Sequence, residues 1–138
     1  MAQLDGPPIG PDDAKKAIAA ALAEAKKSGW TMAAAVVDLG GHLVAFERMD
    51  GTQTGSVAVS QDKARSAALF RRPTKAFQDA LAAGGEGLRF LKLRGAIPID
   101  GGVPLVVGGR IVGALGLSGG ASPEDGQCAR AGAAAVAS

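Results

Sequence analysis

GGVPLVVGGRIVGALGLSGG, residues 101–120, is the stretch whose reading decides the fold. Its apolar runs VPLVV (103–107) and RIVGALGL (110–117) flank Gly108-Gly109, the pattern of two strands joined by a tight turn. Eight of the chain's 21 glycines stand here, although glycine weakens an ordinary strand and packs nothing. Glycines 113, 116 and 119, each separated by two residues, therefore need a reason. Either they let a helix and tight turns press against the sheet, or they let a ligand approach the main chain. Gly119 and Gly120 lead directly into SPED, where a helix begins. Ser122 as N-cap, Pro123 at the first helical position and Asp125 at the third predict a capping-box variant with Asp in place of Glu or Gln. Amides at such a helix start favour an anion, a carboxylate or a phosphate. No G-x-x-x-x-G-K-[ST] is present, so this is not a P-loop.

Outward from the hairpin, the remaining elements follow from periodicity. Pro11, Asp12 and Asp13 suit a helix start, and Ala14, Ala17, Ile18, Ala21, Leu22 and Ala25 recur at helical spacing until Lys26, Lys27 and Gly29. TMAAAVVD (31–38) and LVAFERMD (43–50) read as strands of a first hairpin around LGGH. A helix is expected over 57–70, broken at Pro73, and a shorter one over 74–83. Residues 86–100 lack a period and are expected to be loop. Cys128, Ala131, Gly132, Ala135 and Val136 give the last helix its apolar stripe. This order predicts an α+β domain, an antiparallel sheet flanked by helices, with residues 1–10 as an extended arm and 11–138 as the single domain.

Composition narrows the function classes. With 138 residues, 47% of them hydrophobic, and no apolar run of 18 or more, one soluble domain with one core and no membrane span is expected. MAQLDGPPIGPDDAKK has neither the basic nor the apolar region of a secretory signal, which makes the cytoplasm the expected location. The single cysteine, Cys128, allows no internal disulfide and no cysteine-based zinc site, and fits a buried helix face. The net charge is +2, and the basic residues are scattered except for Arg71-Arg72 and RFLKLR (89–94). With few aromatics to stack on bases, nucleic acid is not an expected partner. Alanine-rich helix faces leave little apolar area in one copy, which points to further burial between subunits.

Five ordered blocks carry a family resemblance: GGHLVAFERMDG (40–51), the helix with QDKARSA (61–67), RRPT (71–74), the hairpin, and ASPEDGQCARAG (121–132). Over residues 11–136 the chain resembles the GlcG/HbpS family, also called DUF336 or haem-degrading-protein-like, and related to the PduO C-terminal domain. The resemblance implies a profilin-like fold and homo-oligomers from dimer to octamer. Members are associated with haem binding, redox-linked sensing, cobalamin-related proteins and catabolic operons for glycolate or glycerol.

Two function classes follow. In the first, a binding protein for haem or a small organic acid, the anion is held by Arg48, Lys63 and the Gly119-Gly120 turn, with Asp50 and Asp125 nearby. In the second, an isomerase, hydratase or decarboxylase-type enzyme on a small carboxylate or carbonyl compound, Asp50, Asp125 or His42 moves the proton. Ordinary structural roles compete at every position. Arg48 can pair with Asp50, Lys63 can lie on a solvated helix face, and Asp125 can cap its helix. His42 is the sole histidine and so a candidate haem ligand, yet it follows a Gly-Gly bend where an exposed turn residue is expected. Haem-binding relatives can take an axial histidine from the first helix, and AKKAIAAALAEAKK contains none. Met49, His42 and Cys128 remain as substitutes, although an apolar strand position explains Met49 equally well.

Overall fold

Ala33–Val37 (β1), five residues with every side chain buried, is the inner strand on which the fold is built. Leu43–Arg48 (β2) pairs with it on one side and Arg110–Ser118 (β4) on the other, while Gly102–Val107 (β3) completes the hairpin with β4. The result is a four-stranded antiparallel sheet in the order β2-β1-β4-β3. Among the described residues, four α-helices surround it: Pro11–Lys27 (α1), Gly55–Phe70 (α2), Thr74–Ala82 (α3) and Ser122–Val136 (α4). The structure, a computed structural model, describes residues 3–138, so the first two residues of the arm lie outside the described residues.

Alternation along the strands sorts the core into two layers. Ala34, Val36, Leu115 and Leu117 point into a cluster with α1 and α4, whereas Ala35, Val37 and Ala114 meet Ala64, Ala67 and Ala68 of α2. Of the glycines of β4, Gly116 belongs to this second contact, while Gly113 lies against Ile9 and the β1 backbone. A β-carbon at Gly116 would overlap the Ser60 carbonyl, and one at Gly113 would lie 2.5 Å from the Val37 carbonyl oxygen. Packing therefore accounts for both.

Three expectations are corrected. Residues 85–91 form a 3₁₀ helix, Gly85–Leu91, whose tighter turn matches neither an α-helical nor a strand period. Its Phe90 ring rests 5.0 Å from that of Phe77 on α3. The N-cap of α4 is Ala121, one residue earlier than expected, and Glu124 accepts the Ala121 amide at 2.9 Å. Asp125 takes no part in that capping interaction. Finally, the helix after β2 starts at Gly55 rather than 57.

The arm lies against β4 where β1 has stopped. Ile111 donates its amide to the Leu4 carbonyl, while Gly6 and Ile9 donate theirs to Ile111 and Val112. Asp5 receives two hydrogen bonds from Arg71, at 2.8 and 2.9 Å. Arg71 ends α2 in the left-handed conformation (φ 51°) and also donates to the Leu39 carbonyl. No described helix is long and apolar enough to cross a membrane.

Candidate functional site

Arg48 and Ser118 are both register partners of Ala33, one from each side. Strands spaced 4.7–4.9 Å apart put their backbones about 10 Å from each other, and directly opposed side chains share a face. That face is the one covered by α2, because the Ser118 hydroxyl donates to Ser56 in the first turn of α2 (3.1 Å). The end of the ERMD strand and the SGG turn thus occupy one corner of the sheet. Arg48 is exposed there and forms no ion pair among the described residues, so the expected pairing with Asp50 is absent. Asp50 is exposed beside it.

Behind the corner the expected anion cradle is filled from within. The Gly120 amide donates to the Asp125 carboxylate at 2.9 Å, and Glu124 already takes the amide of Ala121. A β-carbon at Gly119 would overlap the Thr31 carbonyl, so this glycine serves a close backbone approach. The start of α4 therefore carries its own two carboxylates, which offset the amide dipoles that would attract a ligand. The start of α2 differs. It has no acidic residue in its first turn and no side-chain cap, and it stands over the Ser118 end of the Arg48 row.

Lys63 is not on a solvated helix face; it is 1% exposed. Its ammonium donates to Asp125 at 2.9 Å and to the Leu117 carbonyl at 3.0 Å. Gly101 makes room for it, since a β-carbon there would lie 2.8 Å from Nζ. Burial pushes the Asp125 carboxyl above its ordinary range, and Lys63 and the Gly120 amide pull against that rise. The pair fastens α2, β4 and the start of α4 together, directly behind the turn.

The candidate iron ligands do not converge. His42 has a side chain 83% exposed and contacts Asp38 (3.2 Å) in the β1–β2 turn. Six residues of strand at about 3.3 Å each separate it from Arg48, so the two mark opposite ends of β2. The Met49 sulfur accepts the Met32 amide (3.4 Å) and packs against the α1/α4 core. Cys128 is fully buried, which pushes its thiol up to about 11.

Sequence reasoning missed three features. Asp100 is 3% exposed, 3.6 Å from Arg130, with one oxygen lacking a partner. Ser56 and Ser118 form the buried hydroxyl pair, and nothing in their spacing announces it. A groove of about 440 Å³ runs between α1 and β2, lined by Lys15, Ile18, Ala19, Val44, Ala45, Phe46 and Glu47. Helix and strand periodicity treat the two walls of that groove separately, which conceals it.

Comparison with known proteins decides the family. The model of the family described as haem degrading protein HbpS-like matches residues 9–134. The chain belongs to the HbpS-like family. A curated relative, protein GlcG of Escherichia coli strain K12, is 44% identical over 101 residues, 73% of this chain and 74% of GlcG. Among solved structures, a double mutant of HbpS from Streptomyces reticuli is similar with a TM-score of 0.86 and 30% identity, over 97% of this chain and 90% of that one. A PduOC:haem complex has the same fold, with a TM-score of 0.82 at 24% identity over 94% and 95%. The α+β architecture above is thus that of the HbpS-like family, with the Arg48 corner and the Lys63–Asp125 pair set at one end of its sheet.

Proposed function

We propose that this protein binds a small anionic ligand, haem or a small organic acid, at the corner formed by the end of β2, the Ser118–Gly120 turn and the start of α2. The observation that carries this reading is Arg48, an exposed guanidinium in register with Ser118 and unpaired among the described residues. Arg48 supplies the planar fork for a carboxylate, and the uncapped start of α2 adds its dipole. Gly119 and Gly120 bring the turn close. Lys63 and Asp125 hold that turn in place and do not touch the ligand; Asp50 lies on the rim and favours a ligand with a donor beside its carboxylate.

Haem fits in part. Its propionates match Arg48, and the family description and the PduOC:haem complex both speak for it. Axial ligation does not fit, because His42 is at the far end of β2, the Met49 sulfur is engaged and Cys128 is buried. The reading is therefore haem held through its propionates and ring, without an iron ligand from Met49 or His42. Titration with haemin, followed by absorbance, and calorimetry with a panel of small hydroxy and oxo acids test it. Loss of one charge-assisted bond in Arg48→Ala should weaken binding by about 1.5–3 kcal/mol, roughly 10- to 150-fold. Unchanged affinity in folded Arg48→Ala would place the ligand elsewhere.

A further inference from the structure

Positive charge and exposed apolar surface are both unevenly spread along this chain, and they are concentrated in the same stretch. Residues 69–99 hold six basic and two acidic side chains, whereas the rest of the chain holds nine basic and eleven acidic ones. Of the seven large apolar side chains exposed among the described residues, five lie in that stretch: Leu69, Leu88, Leu91, Leu93 and Ile99. Single exposed leucines need no explanation, but a contiguous set rimmed by charge marks an interaction surface.

The 3₁₀ helix makes the set contiguous. With three residues per turn, side chains at i and i+3 eclipse, so the helix has three edges. Gly87 and Phe90 form the inner one: a β-carbon at Gly87 would overlap the Ala80 carbonyl of α3, and the Phe90 ring meets that of Phe77. Leu88 and Leu91 share the second edge, at 55% and 66% exposure. Glu86 and Arg89, paired at 3.3 Å, form the third. Beyond the helix the chain passes through Lys92, Leu93 and Arg94 back to the end of α2, where a β-carbon at Gly95 would lie 3.9 Å from the Leu69 side chain. Arg72 joins the two ends, with its guanidinium 5.6 Å from the centre of the Phe77 ring.

The carboxylates of this surface are already paired. Asp79 holds Lys75 and Glu86 holds Arg89, which leaves Arg72, Lys92 and Arg94 without an ion pair among the described residues. Residues 91–95 are all exposed, so the leucines project outward and do not line a groove. A protein partner would have to supply a groove for them; the headgroup layer of an anionic bilayer, negative outside and apolar beneath, receives them without one. Nucleic acid matches less well, because Phe70, Phe77 and Phe90 pack on one another and offer no stacking platform.

We propose that this surface docks the protein on anionic membranes, with Leu88, Leu91 and Leu93 entering the headgroup layer and Arg72, Lys92 and Arg94 against lipid phosphates. No described helix is long and apolar enough to cross a membrane, so the contact is peripheral. It is independent of what binds at Arg48.

Sedimentation with vesicles tests it. Wild-type protein should bind vesicles of phosphatidylglycerol mixed with phosphatidylcholine at low salt, should leave phosphatidylcholine alone unbound, and should be released as salt rises. A basic side chain close to an anionic surface contributes a factor of about five, so Lys92→Gln with Arg94→Gln should weaken binding about 25-fold. Lys16→Gln with Lys26→Gln removes the same charge from the exposed side of α1 and should have little effect. Leu88→Ser with Leu91→Ser should also weaken binding, and all these side chains are exposed, so the variants should fold. No binding to the anionic vesicles at low salt, equal binding to phosphatidylcholine alone, an equal loss in the α1 variant or no loss in the leucine variant overturns the proposal. So does light scattering in which the leucine variant has a lower mass than wild type, since another copy then covers this surface. Binding to polyglutamate without binding to vesicles overturns it too, in favour of an acidic protein.

Discussion

The Lys63 ammonium lies 2.9 Å from the Asp125 carboxylate, and both side chains are almost wholly removed from solvent, at 1% and 3% exposure. Sixty-two residues separate them along the chain. A buried pair of this kind gains little over a well-packed apolar pair, but loss of one member leaves the other charged in a medium that cannot solvate it. Lys63→Met is therefore expected to destabilise the fold by about 3–5 kcal/mol in urea unfolding. Lys63→Met combined with Asp125→Leu should lose less than the two single variants summed. Strict additivity would mean that the two charges are not coupled.

The β4 glycines give a second stability test. A methyl group at Gly116 meets the Ser60 carbonyl and the Ala64 amide of α2, so Gly116→Ala overpacks the helix–sheet contact and should cost about 1–3 kcal/mol. Gly55 has open space around its β-position, and Gly55→Ala should leave stability unchanged or raise it slightly. Equal effects in both would show that close packing is not why Gly116 is a glycine.

The arm should respond to acid and to one substitution. The hydrogen bonds from Arg71 hold the Asp5 carboxyl below its ordinary value of 3.8. A carboxyl lowered in the folded state stabilises above the unfolded value, and that contribution is lost as pH falls through the folded one. Arm attachment should thus be constant through neutral pH and weaken only below about 3.8. Hydrogen exchange at the Gly6 and Ile9 amides reads it directly. Arg71→Ala should speed both amides at neutral pH; protection unaltered in that variant would mean that the backbone bonds to β4 suffice.

Much of this fold was legible because its signals are local. The proline and acidic start of α1, the apolar run of β1 and the paired glycines at 108–109 each mark an element without reference to the rest of the chain. What escaped depends on tertiary partners. Lys63 lies on a helix of mixed polarity, and only the approach of β4 and α4 removes it from water. Asp125 follows a legible helix-start signature, yet the structure turns it towards Gly120 and Lys63 while its neighbour Glu124 caps the helix. The site shows the same division. Arg48 and the SGG turn were legible as candidates, whereas their common register with Ala33 exists only once the sheet has formed.

The reactivity of Cys128 offers a probe of the core beneath that site. The residue is fully buried, and burial pushes its thiol up to about 11, with the carboxylates of Glu24, Asp125 and Glu124 adding to the rise. Since only the thiolate attacks, native protein at neutral pH should react with a disulfide reagent only through unfolding or local opening. The rate should follow stability, so Lys63→Met should speed it markedly. A fast reaction in the stable wild type would show a solvent path to the core.

The last expectation concerns iron. If haem is held by its propionates and ring, as the corner around Arg48 suggests, removing either candidate ligand should leave the spectrum of the haemin complex in place. His42 is bound to the β1–β2 turn, where Asp38 accepts its backbone amide and that of Gly40, so its ring is anchored at the opposite end of β2. The Met49 sulfur would have to give up the Met32 amide and leave the core to reach an external iron. His42→Ala and Met49→Leu should therefore each retain the Soret band, while Arg48→Ala reduces affinity at an unchanged band position. A low-spin spectrum that disappears in His42→Ala would overturn the reading that haem here lacks an iron ligand from this histidine.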